Sequence, residues 1–417
     1  MTTHQKFILF YAPTAFLALG TFTSISICSV HHIALFVAAI ALAYCWKDSL
    51  TPAPFFSLST LTLVGILLTG ILSVGLNWGE ILHPWRHLFA LKYFFFGLLS
   101  VFIYAAAVGH EISKIKWKGM IALFIIATTI ATLSGLLALY SGHHFLRMKA
   151  ACHPSRACGM YGMYMTYGYG IQFFMILLTG FILERKKFLS LKESWITNGY
   201  ILTGVWLINL AGLLLSGARG AIFGFCFSLP FFFIRRGERR YIVMVLLPVL
   251  LLMAAAFTFS PKVKEMFLSF ERLKSNSIRI SQAVAAIEAF KSSPLLGIGY
   301  KNFEPNSAKI KIEKGIEFPE FAGHAHNNFL EHLAGTGALG FLMLFLFHLF
   351  WAIECYRARN SSVGRMVFPF VVALAISGLF QYTMGDGENM FLIMAVYAWS
   401  QVFMMVNANG GWKKNAA

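Results

Sequence analysis

Long apolar runs broken by short charged segments recur along this whole chain, and they leave it very few ways to fold. A helical run of about 18 or more apolar residues matches the hydrocarbon thickness of a bilayer. There, every backbone N–H and C=O must be satisfied inside the protein. Reading runs against breaks gives spans near 7–27, 30–46, 58–76, 88–108, 119–140 and 161–183, then 197–215, 220–234, 241–259, 330–353, 367–383 and 389–407. The expected fold class is an all-α integral membrane protein of about 12 transmembrane helices. Charge content agrees, since 12% of residues are charged and 58% apolar, where a soluble domain carries about a quarter charged. The run from Phe7 is too long for the core of a signal peptide and ends in no convincing small-residue cleavage site. It is expected to be the first span.

Alternate loops differ in charge. One set holds Lys114, Lys116 and Lys118; Arg185, Lys186, Lys187 and Lys192; Arg235, Arg236, Arg239 and Arg240; Arg357, Arg359 and Arg365; and Lys413 with Lys414. The opposite short loops hold Arg86, Arg147, Lys149, Arg156 and Arg219, with Lys92 just inside the fourth span. The positive-inside rule makes the first set cytoplasmic, with both termini inside. It also accounts for much of the formal net charge of +17. No compact basic motif with interleaved aromatics accompanies that charge, so nucleic acid is not an expected partner. Trp46, Trp117, Trp195, Trp351 and Trp412 fall at cytoplasmic ends and Trp78 and Trp85 at the outer face, as an aromatic belt would. Three units follow: 1–259, spans 1 to 9 with short basic extracytoplasmic loops; 260–329, one large extracytoplasmic loop; and 330–417, spans 10 to 12 with a cytoplasmic C-terminus.

Polar chemistry concentrates on the outer face. In the large loop, Asn276-Ser277 is expected to cap a helix whose Ile280, Val284, Ile287 and Phe290 share one face, and Pro294 to stop it. That helix either lies on the membrane surface, packs on the bundle, or closes a site. "LLLSGARGAIFGF" puts Arg219 in a tight hairpin between two spans. The guanidinium there either snorkels to headgroups or, with Gly217 and Gly220 allowing close approach, binds phosphate bidentately. "SGHHFLRMKAACHPSRACGMYG" supplies Arg147, Lys149 and Arg156 for an anionic ligand, against the same snorkelling alternative. Cys152 and Cys158 lie close enough in sequence for a disulfide, which nothing else in the sequence requires. "AGHAHNNFLEHLAGTGALG" gathers His324, His326 and His332 with Glu331. Zinc is a competing reading for these imidazoles. A Mg²⁺ or Mn²⁺ transferase would need clustered carboxylates, and the outer face offers only Asp386 with Glu388 as an acidic pair.

His326-Asn327, nine residues, then Gly337-Ala-Leu-Gly340 resembles the signature of O-antigen ligases and O-antigen polymerases. "SIRISQAVAAIEAFKSSPLLGIGYKNF" is similar to the family's segment leading into that histidine, "SGARGA" to its outer arginine hairpin and "RACGMYG" to its arginine after the fifth span. The chain departs from the family in the Met-Tyr-rich sequence after Arg156, where members often show Pro-Asn. The resemblance implies a GT-C-like glycosyltransferase at the periplasmic face of the Gram-negative inner membrane, inverting, metal-independent and without a cofactor. Its donor would be an O-antigen glycan on undecaprenyl diphosphate and its acceptor lipid A–core oligosaccharide. A polymerase extending lipid-linked glycans is the alternative, and a transporter of anionic lipid or solute the alternative from another class. The expected catalytic residues are His326, as general base, and Arg219; Arg156, Arg147, Asn327, Lys149 and Arg279 are expected to bind substrate. His324 and His332 are expected as polar groups of a wet cleft.

The charge pattern makes a topological prediction. Reporter fusions after Lys187, Arg240 and Arg359 should read cytoplasmic and one at Ser307 periplasmic. A cytoplasmic signal at residue 307 would move every candidate residue to the wrong side.

Overall fold

The computed structural model describes residues 3–45, 57–108, 117–188, 195–235 and 270–408, with isolated positions between 238 and 258. The expected span 241–259 lies outside the described residues except for isolated positions, and Lys114, Lys116, Lys192, Arg236, Arg239, Arg240, Lys413, Lys414, Trp46 and Trp412 lie outside them altogether.

The chain is mostly helical. In order come α1 (Thr3–Gly20), α2 (Ile25–Cys45), α3 (Leu58–Leu76), α4 (Pro84–Ala90), α5 (Lys92–Val108), α6 (Trp117–Ser141), α7 (Tyr164–Phe188), α8 (Gly199–Ser216) and α9 (Arg219–Ser228). After the 3-10 turn Leu229–Phe233 come α10 (Phe270–Ser292), α11 (Phe303–Lys314), α12 (Asn328–Arg357), α13 (Ser362–Gly378) and α14 (Gly387–Ala408). Among the described residues seven helical stretches are long and apolar enough to cross a membrane, and two further apolar helices, Arg219–Phe233 and Ser362–Gly378, are shorter. These fall on the expected runs. One break moves: the first two helices part at Thr21–Ser24 rather than near residue 28. There the Thr21 hydroxyl donates to the Leu17 carbonyl at 2.7 Å and Thr23 to that of Leu19, and such local bonds offer the backbone an alternative to continued helix.

The helix α10 starts by Phe270, so Asn276 and Ser277 lie inside it and do not cap it. Its small face, Ala285, Ala286 and Ala289, packs against Phe303 and Ala334. Ile280, Val284 and Ile287 do share a face, and that face is exposed.

In a membrane, helices associate through close packing and polar contacts rather than hydrophobic burial. Phe347 and Trp351 of α12 meet Tyr397 of α14 and Phe370 of α13 with ring centroids 5.1–6.0 Å apart. Trp351 is thus fully buried, donating to Ser400 Oγ at 3.0 Å, and belongs to the core rather than to an interfacial belt. At the end of α7 far from Tyr164, Glu184 accepts from Arg235 at 2.9 Å and Arg365 at 2.6 Å. Cations expected on the cytoplasmic side are therefore partly neutralised in place.

The helix α12 is broken near its N-terminal end. Gly337 has φ 64° and ψ −165°, a region essentially closed to residues with a Cβ. Across the break the turn after α10 lends its backbone: Ile298 N–H donates to Ala334 O, Gly299 N–H to Gly335 O, Ala338 N–H to Pro294 O and Leu339 N–H to Leu295 O, at 2.8–3.2 Å. The end of α3 joins in, Ser73 Oγ donating to Gly335 O at 2.6 Å and Asn77 Nδ2 to Gly297 O at 3.0 Å. The residues from 338 to 357 then rise ~30 Å, enough to span the hydrocarbon. The glycines of the signature motif therefore do more than allow close packing: Gly337 opens the helix to a second segment.

An added Cβ at Gly337 would strike the Leu295 backbone at 2.4 Å. Gly337→Ala should lose roughly 1–3 kcal/mol from backbone strain alone, read as a lowered unfolding midpoint in detergent. Gly204→Ala, where nothing lies within 4 Å of the new methyl, is the control. Equal midpoints for the two variants would contradict the break's dependence on glycine.

Candidate active site

Three segments wall one cavity of about 370 Å³ at the end of the bundle where α12 is broken. The first is the hairpin between α8 and α9. Gly217 leaves α8 in the left-handed region at φ 64°, the Ser216 hydroxyl accepts the Ala218 N–H at 3.2 Å, and α9 starts with Arg219. Its neighbour Gly220 has no room for a side chain, because the Tyr169 hydroxyl of α7 lies against it. Arg219 donates to the Asn276 carboxamide oxygen of α10 at 3.1 Å.

The second segment is α10. Lys274, Ser275, Ile278 and Arg279 line the cavity from consecutive turns, pairs four apart sharing one helix face. Arg279 reaches Met165 Sδ at 3.6 Å. The third is the loop before α7. A bond from Ala157 N–H to Leu215 O at 2.9 Å ties it to α8, and Arg156 lies over the Tyr164 ring at 4.3 Å. Four cations, Arg156, Arg219, Lys274 and Arg279, thus face one space. No carboxylate stands among the described residues that line it. Cations gathered in a partly desolvated cleft form an anion site.

His326 completes the wall. Its φ is 50°, unusual for a residue with a Cβ. Its backbone N–H donates to His324 Nδ1 at 3.1 Å, and its ring Nδ1 lies 2.9 Å from Gln381 Oε1. Burial pushes its pKa below the ordinary imidazole value, the Gln381 hydrogen bond opposes that, and the Arg279 charge adds to it. A neutral imidazole beside a cationic cleft can accept a proton from a hydroxyl while the cations hold an anion.

The structure brings Arg156, Arg219, Arg279 and His326 together and separates three other expected residues from them. Arg147 and Lys149 line a neighbouring cavity of about 280 Å³, to which Arg156 also contributes. Arg147 Nη1 donates to Met160 O at 2.7 Å, beneath a hairpin in which His143–His144 pairs with Lys149–Ala150. Cys152 and Cys158 of that loop form a disulfide. Asn327 caps α12, accepting the Phe329 and Leu330 N–H groups and donating to Leu379 O at 3.2 Å, so its polar atoms serve the fold. His332 is not in a wet cleft: it is buried against Phe94 and Tyr300. His324 stays beside the site, its ring 4.2 Å from that of His326, and burial lowers its pKa to about 3. Among the described residues no three His, Cys, Asp or Glu side chains are arranged to hold a metal ion.

Sequence reasoning missed Lys274, Tyr164, Tyr169 and Gln381. Lys274 precedes Asn276, where the helix was expected to begin, and so fell outside the expected helix; Gln381 carries no local signal.

Residues 204–345 match the family model described as O-antigen ligase, which supports assigning the chain to that family. The matched stretch contains Arg219, Lys274, Arg279 and His326. No curated protein matches the chain.

The cavity predicts anion affinity that depends on guanidinium geometry. Arg219→Lys should weaken diphosphate binding to the solubilised protein nearly as much as Arg219→Ala, because a point charge does not replace a planar fork. Either should reduce affinity roughly ten-fold or more, and Arg147→Ala should do so less. Full affinity in the lysine variant would reduce Arg219 to a headgroup contact.

Proposed function

With the O-antigen ligase family as premise, we propose that this protein transfers O-antigen glycan from undecaprenyl diphosphate to a hydroxyl of lipid A–core oligosaccharide. The reaction takes place at the periplasmic face of the inner membrane, in a twelve-span GT-C-like protein with both termini cytoplasmic. One observation carries this reading: Arg156, Arg219, Lys274, Arg279 and the His326 imidazole line a single cavity, with no carboxylate among the described residues that line it.

The chemistry follows from that arrangement. The guanidinium groups hold the diphosphate and stabilise the charge that grows on it as the glycosidic C–O bond breaks. His326 Nε2 takes the proton of the acceptor hydroxyl as its oxygen attacks the anomeric carbon from the opposite face. One displacement of this kind inverts the anomeric centre. Diphosphate departs without protonation, and the cations do the work that a divalent metal does in carboxylate-based transferases. A cavity of about 370 Å³ suits the reacting sugar and diphosphate, with the rest of each lipid-linked substrate outside it.

Deleting the gene and examining lipopolysaccharide on a gel separates the alternatives. Loss of the whole ladder with intact core supports the ligase, a single-repeat band indicates a polymerase, and an unchanged pattern removes both. In a purified assay His326→Ala should lose roughly 10²–10⁴-fold in transfer rate and keep donor binding. Because burial and Arg279 disfavour the imidazolium, the acid limb of the rate profile should lie below the ordinary value of about 6.5. Arg279→Gln should move that limb upward. Wild-type transfer by His326→Ala at matched expression would remove His326 as the base.

A further inference from the structure

His326 is held by a residue that no part of the reaction above uses. Gln381 follows α13 by three residues, its N–H donating to Ser377 O at 3.1 Å, and its side chain is buried. Its Oε1 lies 2.9 Å from His326 Nδ1. A carboxamide oxygen can only accept, so Nδ1 carries the proton, and the lone pair of the neutral ring is on Nε2. The segment that bears Gln381 is fixed against the segment that bears His326. Asn327 Nδ2 donates to Leu379 O, Asn328 Nδ2 donates to Thr383 Oγ1 at 2.9 Å, and Met384 N–H donates to Asn328 Oδ1 at 3.1 Å. Gly378 admits this contact by lacking a side chain, since a Cβ there would meet Asn328 Nδ2 at 2.5 Å.

From this geometry we infer that Gln381 is a positioning residue for the transfer reaction, holding His326 in the Nδ1–H tautomer and leaving Nε2 as the acceptor that faces the cavity. The inference rests on the reading of His326 as the base. The proton balance is complete without Gln381 titrating. Nε2 takes the proton of the acceptor hydroxyl, the acceptor oxygen forms the new bond to the anomeric carbon, and the electron pair of the broken C–O bond leaves with the diphosphate. The ring then carries a proton on each nitrogen, and Gln381 Oε1 keeps accepting from Nδ1–H throughout. The side chain contributes orientation and a dipole and takes no proton.

The charged and titratable groups around His326 are Arg279 and Lys274 from α10, Arg219 from α9, Arg156 from the loop before α7, Tyr164 and Tyr169 from α7, His324 from its own loop, Tyr382 beside Gln381, and Glu331 of α12, whose carboxylate accepts the Ala325 N–H at 2.7 Å. Glu331 bonds the Ala325 backbone and Gln381 lies against the ring itself, so a carboxylate at position 381 would put an acidic group in direct contact with Nδ1. That makes Gln381→Glu informative. It preserves an acceptor for Nδ1–H and favours the imidazolium, so it should keep substantial turnover while moving the acid limb of the rate profile to higher pH. Gln381→Leu removes the acceptor and leaves the ring free to take the other tautomer. It should lower kcat on the order of 10²-fold or more with donor KM little changed.

The experiment uses the full-length protein in lipid nanodiscs with lipid-diphosphate glycan donor and core acceptor, measuring kcat and KM across pH for both variants beside His326→Ala. An active Gln381→Glu enzyme with a raised acid limb, together with a Gln381→Leu enzyme impaired in kcat, is the expected result. Wild-type kcat in Gln381→Leu overturns the inference. Equal impairment of the two variants overturns it as well, because it would mean that the side chain serves packing or donates its amide to Nδ1. An inactive His326→Ala alongside a normal Gln381→Leu removes only the positioning role; an active His326→Ala removes the base and with it both readings.

Discussion

Backbone hydrogen bonds exchanged across the break in α12 are the interaction on which the outer half of this protein depends. An uninterrupted helix would bond internally through residues 334–339. Here Gly335 and Gly337 open the ladder, and the turn at 294–299 supplies and receives the missing bonds. Irregular backbone at membrane depth survives only where protein surrounds it, and Ser73 and Asn77 of α3 provide that surround. The large outer segment is thereby attached to a membrane helix by main-chain bonds rather than by side chains alone. The same turn leads directly to Tyr300 and Lys301, whose contacts with His87 and the Gly385 carbonyl extend the attachment to α4 and to the turn before α14.

With that segment fixed, α10 can present Lys274 and Arg279 to a hairpin and a loop that come from elsewhere in the chain. Cations gathered with no carboxylate among the described lining residues repel one another, and the frame holds them together. Burial, with a smaller push from Arg279, keeps the nearby imidazole neutral. The polar contacts between 326–328 and 378–384 determine which edge of that imidazole meets the cavity. Asn327 and Asn328, adjacent to the histidine in sequence, act on the other side of the same joint.

Much of this was legible in the sequence because the bilayer restricts what apolar runs can do. The run 58–76 became α3 with the same ends, since a 19-residue apolar stretch bounded by Ser57 and Asn77 has few alternatives. Arg219, Arg279, Arg156 and His326 could be singled out as ionisable groups on a face where charge is scarce. The breaks were less readable: Thr21–Ser24 ends a helix through hydroxyl–carbonyl bonds that hydropathy does not register. Asn276 faces Arg219 from inside α10 instead of capping it. The separation of Arg147 and Lys149 from the main cavity depends on a hairpin and a disulfide whose geometry sequence spacing does not specify. Gln381 could not be found at all, because its role exists only where α13 ends beside His326.

The central claim is that the cationic cavity holds the donor's diphosphate with the reacting sugar turned toward His326. A cryo-electron microscopy structure of the full-length protein with a non-transferable lipid-diphosphate glycan tests it most directly. The account predicts diphosphate oxygens within hydrogen-bonding distance of Arg219 and Arg279, and an anomeric carbon on the His326 side of the cavity. Diphosphate bound instead among Arg147 and Lys149, or an anomeric carbon turned away from His326, would contradict it.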